Sequence, residues 1–332
     1  MPNHVLAAAS FAPGLKSEFL RTYYRMYDGI KEELSRYMRL GIPSDKDKET
    51  YFFWESAPHM KRWIRGTPMS SKAFKGVKYE ATNYEWAHSI DWHFTDEQDD
   101  QTKSLPEQAR GLGQSSALIE ERVMFQILSG GSDAELLESN PTAPDGQNLF
   151  STTSDGSAAR FGATSGNSLT GTGTTQAQIK TDFFSVMAQF RAFQDTEGQP
   201  LWDKRVLDSP VTLLIPNTGA LMEAFGSVFQ QEITHSVISS TGAGVSNVIK
   251  AMGFQVRLCF TQRITGNSWY ALLEGADVKP MFSQLRQSPA EINADFANSD
   301  DTRKTGTKSM GFYARLGFGV ATPYAGIKVT NS

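Results

Sequence analysis

The sequence predicts an α+β fold, and three observations lead to this prediction. Apolar residues recur every three or four positions in the segments 15–38, 106–128 and 179–193, which is the period of an amphipathic helix. With 332 residues, of which 39% are hydrophobic and 11% aromatic, the chain is long enough to bury a substantial core. Other segments are rich in β-branched and aromatic residues and are typical of strands: 79–95, 211–215, 253–260, 269–273 and 310–320.

The first predicted element is the helix over 15–38. Gly41 and Pro43 are expected to end it, since glycine and proline stop helices. A basic run follows from Lys61 to Lys78; it contains no carboxylate, and its glycine, proline and serine content predicts a loop. The apolar positions of the helix are Leu15, Phe19, Tyr23, Tyr27, Ile30, Leu34 and Tyr37.

The segment 79–95 alternates apolar and polar residues, and we predict that it forms the strands of a long hairpin. An acidic stretch, 96–100, breaks this pattern. Pro106 stands near the start of the second predicted helix, where the fixed φ of proline is tolerated, and Gly130 follows the last helical residue.

Residues 139–175 show almost no periodicity and consist mainly of Pro, Gly, Ser, Thr and Asn. A loop of this length is uncommon in a compact domain and is usually functional, mobile or held by a neighbour. Beyond it we predict the third helix, 179–193, and a further helix over 218–229 among the remaining strands.

Charge, hydropathy and cysteine content exclude several classes of protein. The formal net charge of −4, from 36 acidic and 32 basic residues, provides no overall positive field for nucleic acid, so any such contact must be local. No segment approaches the ~20 apolar residues of a membrane span, and the N-terminus lacks a basic leader, so we expect neither a membrane partner nor secretion. The single cysteine, Cys259, forbids an intramolecular disulfide and fits assembly in a reducing cytoplasm.

Signatures of enzymes are mostly absent from the sequence. It contains no GxxxxGK[ST] phosphate loop, GxSxG elbow or HExxH pair, and we expect no catalytic, cofactor or metal site. Strand alternation would place His88 on one face and Asp91 with His93 on the other, so the two imidazoles cannot share a metal. By the same alternation Cys259 lies opposite the apolar face of its strand, and we expect a packed thiol rather than a nucleophile.

Three polar features point to assembly instead: the basic run, the acidic stretch and the loop 139–175. They suit a subunit whose extended parts lie on neighbouring copies, because complementary charged patches set the register of such interfaces. An alternative is a carboxylate-dependent hydrolase that works with Asp96–Asp100 beneath a mobile 139–175 lid. A second alternative is a self-assembling tail or baseplate component.

The ordered string of segments resembles the major head subunit (major capsid protein) of Mu-like tailed bacteriophages. After the N-terminal helix, the similarity is carried by YFFWESAPHMKRWIRG (51–66), YEWAHSIDWHFTDEQDD (84–100), NLFSTT (148–153) and FYARLGFGVATPYAGIKV (312–329). The resemblance runs through nearly the whole chain and is strongest between about 50 and 155. It rests on order and local texture and not on a catalytic motif.

The resemblance implies an HK-97-like phage capsid fold with an E-loop hairpin, a peripheral P-domain that contains a long spine helix over 106–128, and an axial A-domain. The expected divisions are an N-terminal arm at 1–48, the E-loop with its flanking strands at 49–103, the P-domain with the polar loop at 104–209, the A-domain at 210–305, and a return to the P-domain at 306–332.

The resemblance also implies the function and the partners. We expect a structural protein, not an enzyme, that self-assembles as hexamers and pentamers into an icosahedral virion head around packaged double-stranded DNA. Portal and scaffold proteins, and a decoration protein on some shells, are the other expected partners, with assembly in the host cytoplasm. No cofactor is implied.

Candidate site residues are those expected between subunits or toward DNA. The charged and aromatic interface set is Trp54, Lys61, Arg62, Trp63, Arg65, Lys72, Phe74, Lys75, Lys78, Tyr84, Trp86, Asp96, Glu97, Asp99, Asp100, Asp295, Asp300 and Asp301. The expected DNA-facing set, for weak contacts that do not read sequence, is Lys16, Arg21, Arg25 and Arg36.

Overall fold

The computed structural model contains helices and two large mixed sheets. No helix among the described residues is long and apolar enough to span a bilayer. The described residues are 4–54, 60, 62–69, 76–93, 95–96, 104–131, 133–151, 166–195, 198–230, 233–234, 245–246, 248–292 and 304–331.

The first sheet has five strands in the order β1-β10-β11-β3-β2. Its first strand runs parallel to β10, and the other pairs are antiparallel. The strands are β1 (Met38–Pro43), β2 (Lys48–Trp54), β3 (Gly76–His93), β10 (Met281–Ile292) and β11 (Thr307–Val320).

The second sheet also has five strands, in the order β4-β12-β9-β5-β8. A short pair, β6 (Ile233–Thr234) and β7 (Val245–Ser246), stands apart from it. The strands of the second sheet are β4 (Ser168–Thr170), β5 (Val211–Pro216), β8 (Val256–Thr261), β9 (Ser268–Leu273) and β12 (Gly326–Thr330).

The two sheets cut across the expected domain boundaries. Strand β10 falls within the segment 210–305 expected to form the A-domain, yet it pairs with β1 and β11 in the first sheet. Strand β12 falls in the return segment 306–332, yet it joins the second sheet through β4 and β9. Each sheet is therefore built from distant parts of the sequence.

The helices are α1 (His4–Leu34), α2 (Ser104–Ala117), α3 (Ile119–Ser129), α4 (Gln176–Ala192), α5 (Lys204–Leu207), α6 (Gly219–Phe229) and α7 (Val248–Ala251). The helix predicted over 15–38 instead ends at Leu34, because Tyr37 and Met38 turn into the core and β1 begins there. The predicted helix 106–128 is two helices, α2 and α3, that meet at Leu118, whose φ of −85° and ψ of −1° depart from the helical values.

Strand predictions also needed one correction. Residues 79–93 of the segment 79–95, expected to contain the strands of a hairpin, belong to the single 18-residue strand β3, whose hairpin partner is β2. The strands predicted at 211–215, 269–273 and 310–320 are confirmed to within three residues at each end, while β8 begins three residues later than predicted.

The core has three large parts. One lies between α4, α6 and one face of the second sheet, where Phe225 packs edge-on against Trp269 with ring centroids 5.4 Å apart. A second joins α3 to both sheets. Strand β5 serves both parts because Leu213 faces the first and Leu214 the second, so it is buried on both faces.

The third part of the core holds α1 onto its own chain. Phe19 is fully buried and stacks on Phe312 of β11 with ring centroids 3.5 Å apart. Helix α2 crosses α1 closely at Gly113, where a Cβ atom would lie 2.7 Å from the carbonyl oxygen of Phe19. Residues 15–34 of the expected N-terminal arm therefore pack on their own body.

The loop predicted over 139–175 is more ordered than its composition indicates. Strand β4 lies within it and pairs in parallel with β12, while residues 152–165 fall outside the described part. Asn167, fully buried, donates through Nδ2 to the carbonyls of Leu149 (2.8 Å) and Pro323 (2.9 Å), and its Oδ1 accepts from the backbone N–H of Ser151 (2.9 Å). This one amide ties three loop segments together.

Replacing Asn167 with alanine should destabilise the subunit by about 2–4 kcal/mol, because the buried carbonyl and N–H groups that it serves lose their partners. The measurement is the urea-unfolding midpoint of the unassembled chain. Asn217→Ala, the same change at an exposed position, is the control and should move the midpoint little. Equal midpoints for the two variants would contradict the anchoring role of Asn167.

Candidate assembly surfaces

The β2–β3 hairpin is an arm that leaves the first sheet. Residues 83–93 of β3 pair with β11, whereas residues 76–82 pair with β2. At ~3.3 Å per residue, a strand of 18 residues is roughly 60 Å long, so the sheet holds one half of β3 and the other half carries the arm.

The base of this arm is fixed to the sheet by charges and by a buried amide. Asp47 lies 3.3 Å from Arg315 and 3.6 Å from Arg286. Asn83, buried, donates to the hydroxyl of Ser44 and to the carbonyl of Lys46, both at 2.7 Å. These contacts set the direction in which the arm leaves the sheet.

The described tip of the arm, residues 62–69, contains a preformed turn. The backbone N–H of Thr67 donates to the carbonyl of Ile64 (3.1 Å), and Gly66 adopts the positive φ of 92° that the third position of a type II turn requires. The indole N–H of Trp63 donates to the carbonyl of Thr67 (2.8 Å). A turn that is already formed loses less entropy when it binds a partner.

The tip exposes an unusual amount of apolar surface. Trp63, Ile64 and Met69 expose 59%, 64% and 77% of their surface, and Phe52, further back on β2, exposes 64%. Apolar side chains gathered on one exposed element mark a protein–protein contact surface. Sequence reasoning selected Trp63 but missed Ile64, Met69 and Phe52, which only their position on a protruding arm distinguishes from core residues.

The predicted basic and acidic partners are only partly within the described residues. Arg62 and Arg65 are exposed on the tip, Lys78 pairs with Glu80 on its own strand, and exposed Asp96 accepts from the backbone N–H of His93 (3.2 Å). Of Trp54 only the backbone is described. Outside the described residues lie Lys61, Lys72, Phe74, Lys75, Glu97, Asp99, Asp100, Asp295, Asp300 and Asp301.

Two predicted interface aromatics lie on β3. Tyr84 exposes 38% of its surface. Trp86 is half-buried in its own chain, where its indole N–H donates to the carbonyl of Leu316 (3.2 Å) and its ring packs edge-on against Phe318 at 5.9 Å between centroids. Trp86 is thus a core contact as well as a surface residue.

The expected DNA-facing residues lie along α1 and just after it. Lys16, Arg21 and Arg25 are exposed, and Arg36 is partly buried. Two of the four already have acidic neighbours: Arg21 is 2.8 Å from Glu18, and Arg36 is 3.7 Å from Glu32. The positive charge of this face is correspondingly small.

A trough runs between the helix pair α2–α3 and the face formed by β3 and β11. It encloses about 810 Å³. Its apolar floor includes Trp86, Ile90 and Phe312, and its rim includes Gln108 and Ser116. Residues 84–93 of β3 pair with β11 along one edge. Among the described residues, no strand pairs with the other edge of this stretch. Unpaired edges in native proteins are usually covered.

The surroundings of Cys259 are described by the structure. Within the described ranges, no group of three or more His, Cys, Asp or Glu side chains is placed to hold a metal ion. The thiol of Cys259 is partly buried and donates to Oε1 of Glu33 at 2.6 Å. Burial, this hydrogen bond to Glu33 and the charge of Glu121 together raise the pKa of the Cys259 thiol to about 12. Cys259 is a packed thiol, as predicted.

Comparison with known proteins identifies one family. The family model of the Mu-like prophage major head subunit gpT matches residues 15–203. A search of curated proteins finds no match.

Solved structures share the fold at low sequence identity. The Mycobacterium phage Patience structure is 9% identical, covers 97% of this chain and 88% of its own, and has a TM-score of 0.54. The capsid of cyanophage P-SCSP1u is 10% identical, with coverages of 89% and 86% and a TM-score of 0.53. The capsid of Myoviridae phage XM1 is 9% identical, with coverages of 88% and 90% and a TM-score of 0.53. The HK-97-like fold is confirmed, and neither the hydrolase nor the tail-component alternative finds support.

The Cys259 thiol should react slowly with a disulfide reagent. At about pH 8 roughly one-quarter of an ordinary thiol is present as thiolate, whereas a thiol of pKa about 12 is thiolate in only about one molecule in ten thousand. Because the thiolate is the reacting form, labelling should be about a thousandfold slower than in the urea-unfolded chain. Glu33→Gln removes the negative charge beside the thiol, which lowers the pKa of Cys259 and should speed labelling. Glu223→Gln, at an exposed site, should leave the labelling rate unchanged. Fast labelling of the folded chain would contradict the assignment.

Proposed function

We propose, because this chain belongs to the family of Mu-like prophage major head subunits, that many copies of it close into an icosahedral head shell around double-stranded DNA. The chain is a structural capsid protein and not an enzyme. The observation that carries the proposed assembly is the protruding β2–β3 arm, whose tip presents Trp63, Ile64 and Met69 to solvent. Burying one such side chain contributes about 1.5–3 kcal/mol, which favours contact with another copy.

The proposed parts of the subunit follow the fold. The β2–β3 arm corresponds to the E-loop within 49–103, and α2 with α3 to the spine of the P-domain within 104–209. Strands β5, β8 and β9 form the centre of the A-domain within 210–305, and β11 returns to the first sheet within 306–332. Within the arm segment 1–48, α1 rests on its own body, so contacts with neighbours fall to its outer face.

Electrostatic pairing is the proposed source of register between copies. Arg62 and Arg65 stand beside the apolar tip, where charges at the rim of an interface steer the approach of partners and reject wrong ones. Their proposed partners are acidic residues of a neighbouring copy. Of the acidic partners predicted from the sequence, Asp96 is the one that lies within the described residues, and it is exposed.

Further partners belong to the same proposal. Hexamers and pentamers of this chain would form the shell, with portal and scaffold proteins, and on some shells a decoration protein, in host cytoplasm. Contact with packaged DNA would be weak and independent of sequence, through Lys16, Arg21, Arg25 and Arg36, of which Arg21 and Arg36 lie beside Glu18 and Glu32.

Electron microscopy of the expressed full chain tests the proposed assembly directly. Closed shells, or capsomers that sediment far faster than one subunit, are the expected result. Tubes, stacked rings or a small oligomer at all concentrations would contradict it.

The double substitution Arg62→Glu and Arg65→Glu should lower the yield of particles about tenfold or more while the circular dichroism of the subunit stays unchanged. The charge reversal places like charges where opposite ones are proposed to meet. Arg62→Lys with Arg65→Lys keeps the charge and should assemble, and Lys204→Glu with Arg205→Glu applies an equal charge change elsewhere. Normal particles from the first variant would remove the pairing proposal. Adding Asp96→Lys should restore particles if Asp96 is the partner, and continued failure would exclude that residue.

A further inference from the structure

A carboxyl group is buried where three elements meet. Glu120, near the N-terminus of α3, is only 4% exposed. Its Oε1 accepts from the hydroxyl of Ser283 on β10 (2.9 Å), and the Ser283 oxygen in turn accepts from the backbone N–H of Gly41 on β1 (3.0 Å). On the α1 side, the hydroxyl of Tyr27 faces the same carboxyl group. The side chain of Glu120 therefore sits in the seam between α1 and the body.

This carboxyl group is poorly compensated as an anion. Among the described residues its Oε2 has no hydrogen-bond partner. The groups that face it are Tyr23, Tyr27 and Lys31 from α1 and Ser283 from β10, so Lys31 is the one cation among them. The neighbouring Glu121 faces elsewhere, toward Arg263 at 3.4 Å. An ionised carboxylate with one unsatisfied buried oxygen costs much more to bury than a neutral carboxyl does.

We propose that Glu120 is a proton-operated latch that holds α1 against the body when its carboxyl is neutral and loosens that contact when it is charged. Burial raises the pKa of Glu120, and the hydrogen bonds from Ser283 and Tyr27 and the charge of Lys31 only partly oppose the rise. The docked state therefore binds the proton more tightly than the opened state. The latch is fully engaged below the ordinary carboxyl pKa and is lost as the pH rises through the raised value.

A second contact on α1 responds to pH in the opposite direction. Glu18 of α1 lies 3.0 Å from Arg110 of α2, and the hydrogen bond with Arg110 lowers the pKa of Glu18. That contact strengthens above the ordinary carboxyl pKa and is lost as the pH falls. Loosening of α1 on raising the pH therefore cannot come from the Glu18–Arg110 pair.

Hydrogen exchange of residues 15–34 in the full-length, unassembled chain tests the latch between about pH 5 and about pH 8, after correction for the intrinsic exchange rate. Wild-type α1 should open more as the pH rises, by up to about tenfold for each unit by which the docked pKa exceeds the ordinary one. Glu120→Gln, which stays neutral, should show almost the same opening at every pH. Glu223→Gln, an exposed carboxylate on α6 away from α1, is the matched control and should follow the wild type.

A second variant decides the matter even if Glu120→Gln does not fold. Ser283→Ala removes a donor that favours the charged carboxylate, so the pH midpoint of α1 opening should move upward. The inference is overturned if wild-type opening does not change with pH, if Glu120→Gln keeps the wild-type profile, or if Ser283→Ala leaves the midpoint in place. None of these measurements depends on shell formation.

Discussion

The continuity of β3 is the constraint on which the rest of the molecule depends. One uninterrupted strand of 18 residues pairs with β11 along residues 83–93 and with β2 along residues 76–82. The base of the arm still packs on the body, where Tyr79 and Ala81 are buried with Phe282, and the exposed apolar side chains lie at the tip. The Asp47–Arg315 contact and the Asn83 amide fix its direction. A rigid base and a preformed tip together make an arm that can meet a neighbour at a defined place.

The tip of the arm and helix α1 differ in where their apolar side chains lie. Helix α1 buries Phe19 and Leu34 against its own body, and its polar ties to the body include one buried carboxyl and one partly exposed ion pair. The tip, in contrast, keeps Trp63 and Ile64 in solvent. A structural capsid protein has use for both arrangements, since a subunit must fold before it assembles yet must still present an unsatisfied apolar surface to other copies.

Much of the local structure was predictable because it depends on local pattern. The apolar period of 179–193 predicted α4 to within three residues at each end, and the β-branched run 211–215 predicted β5. The break at Leu118 was not predictable, because the apolar period continues from α2 into α3, while α2 packs on α1 and the first sheet and α3 contacts both sheets. The anchoring role of Asn167 was also hidden, since a buried asparagine and a loop asparagine have the same sequence signature.

By itself the sequence determined the fold class, the family resemblance, the lack of enzyme motifs and the presence of a basic segment near Trp63, because composition, order and spacing are properties of the chain alone. Only the tertiary structure decided that α1 lies on its own body and that Glu120 is enclosed between α1, α3 and β10. It also decided that β10 joins the first sheet and β12 the second. The physical reason is that these features depend on contacts between residues more than a hundred positions apart, such as Glu120 with Ser283, and no local pattern records which distant surface a side chain will meet.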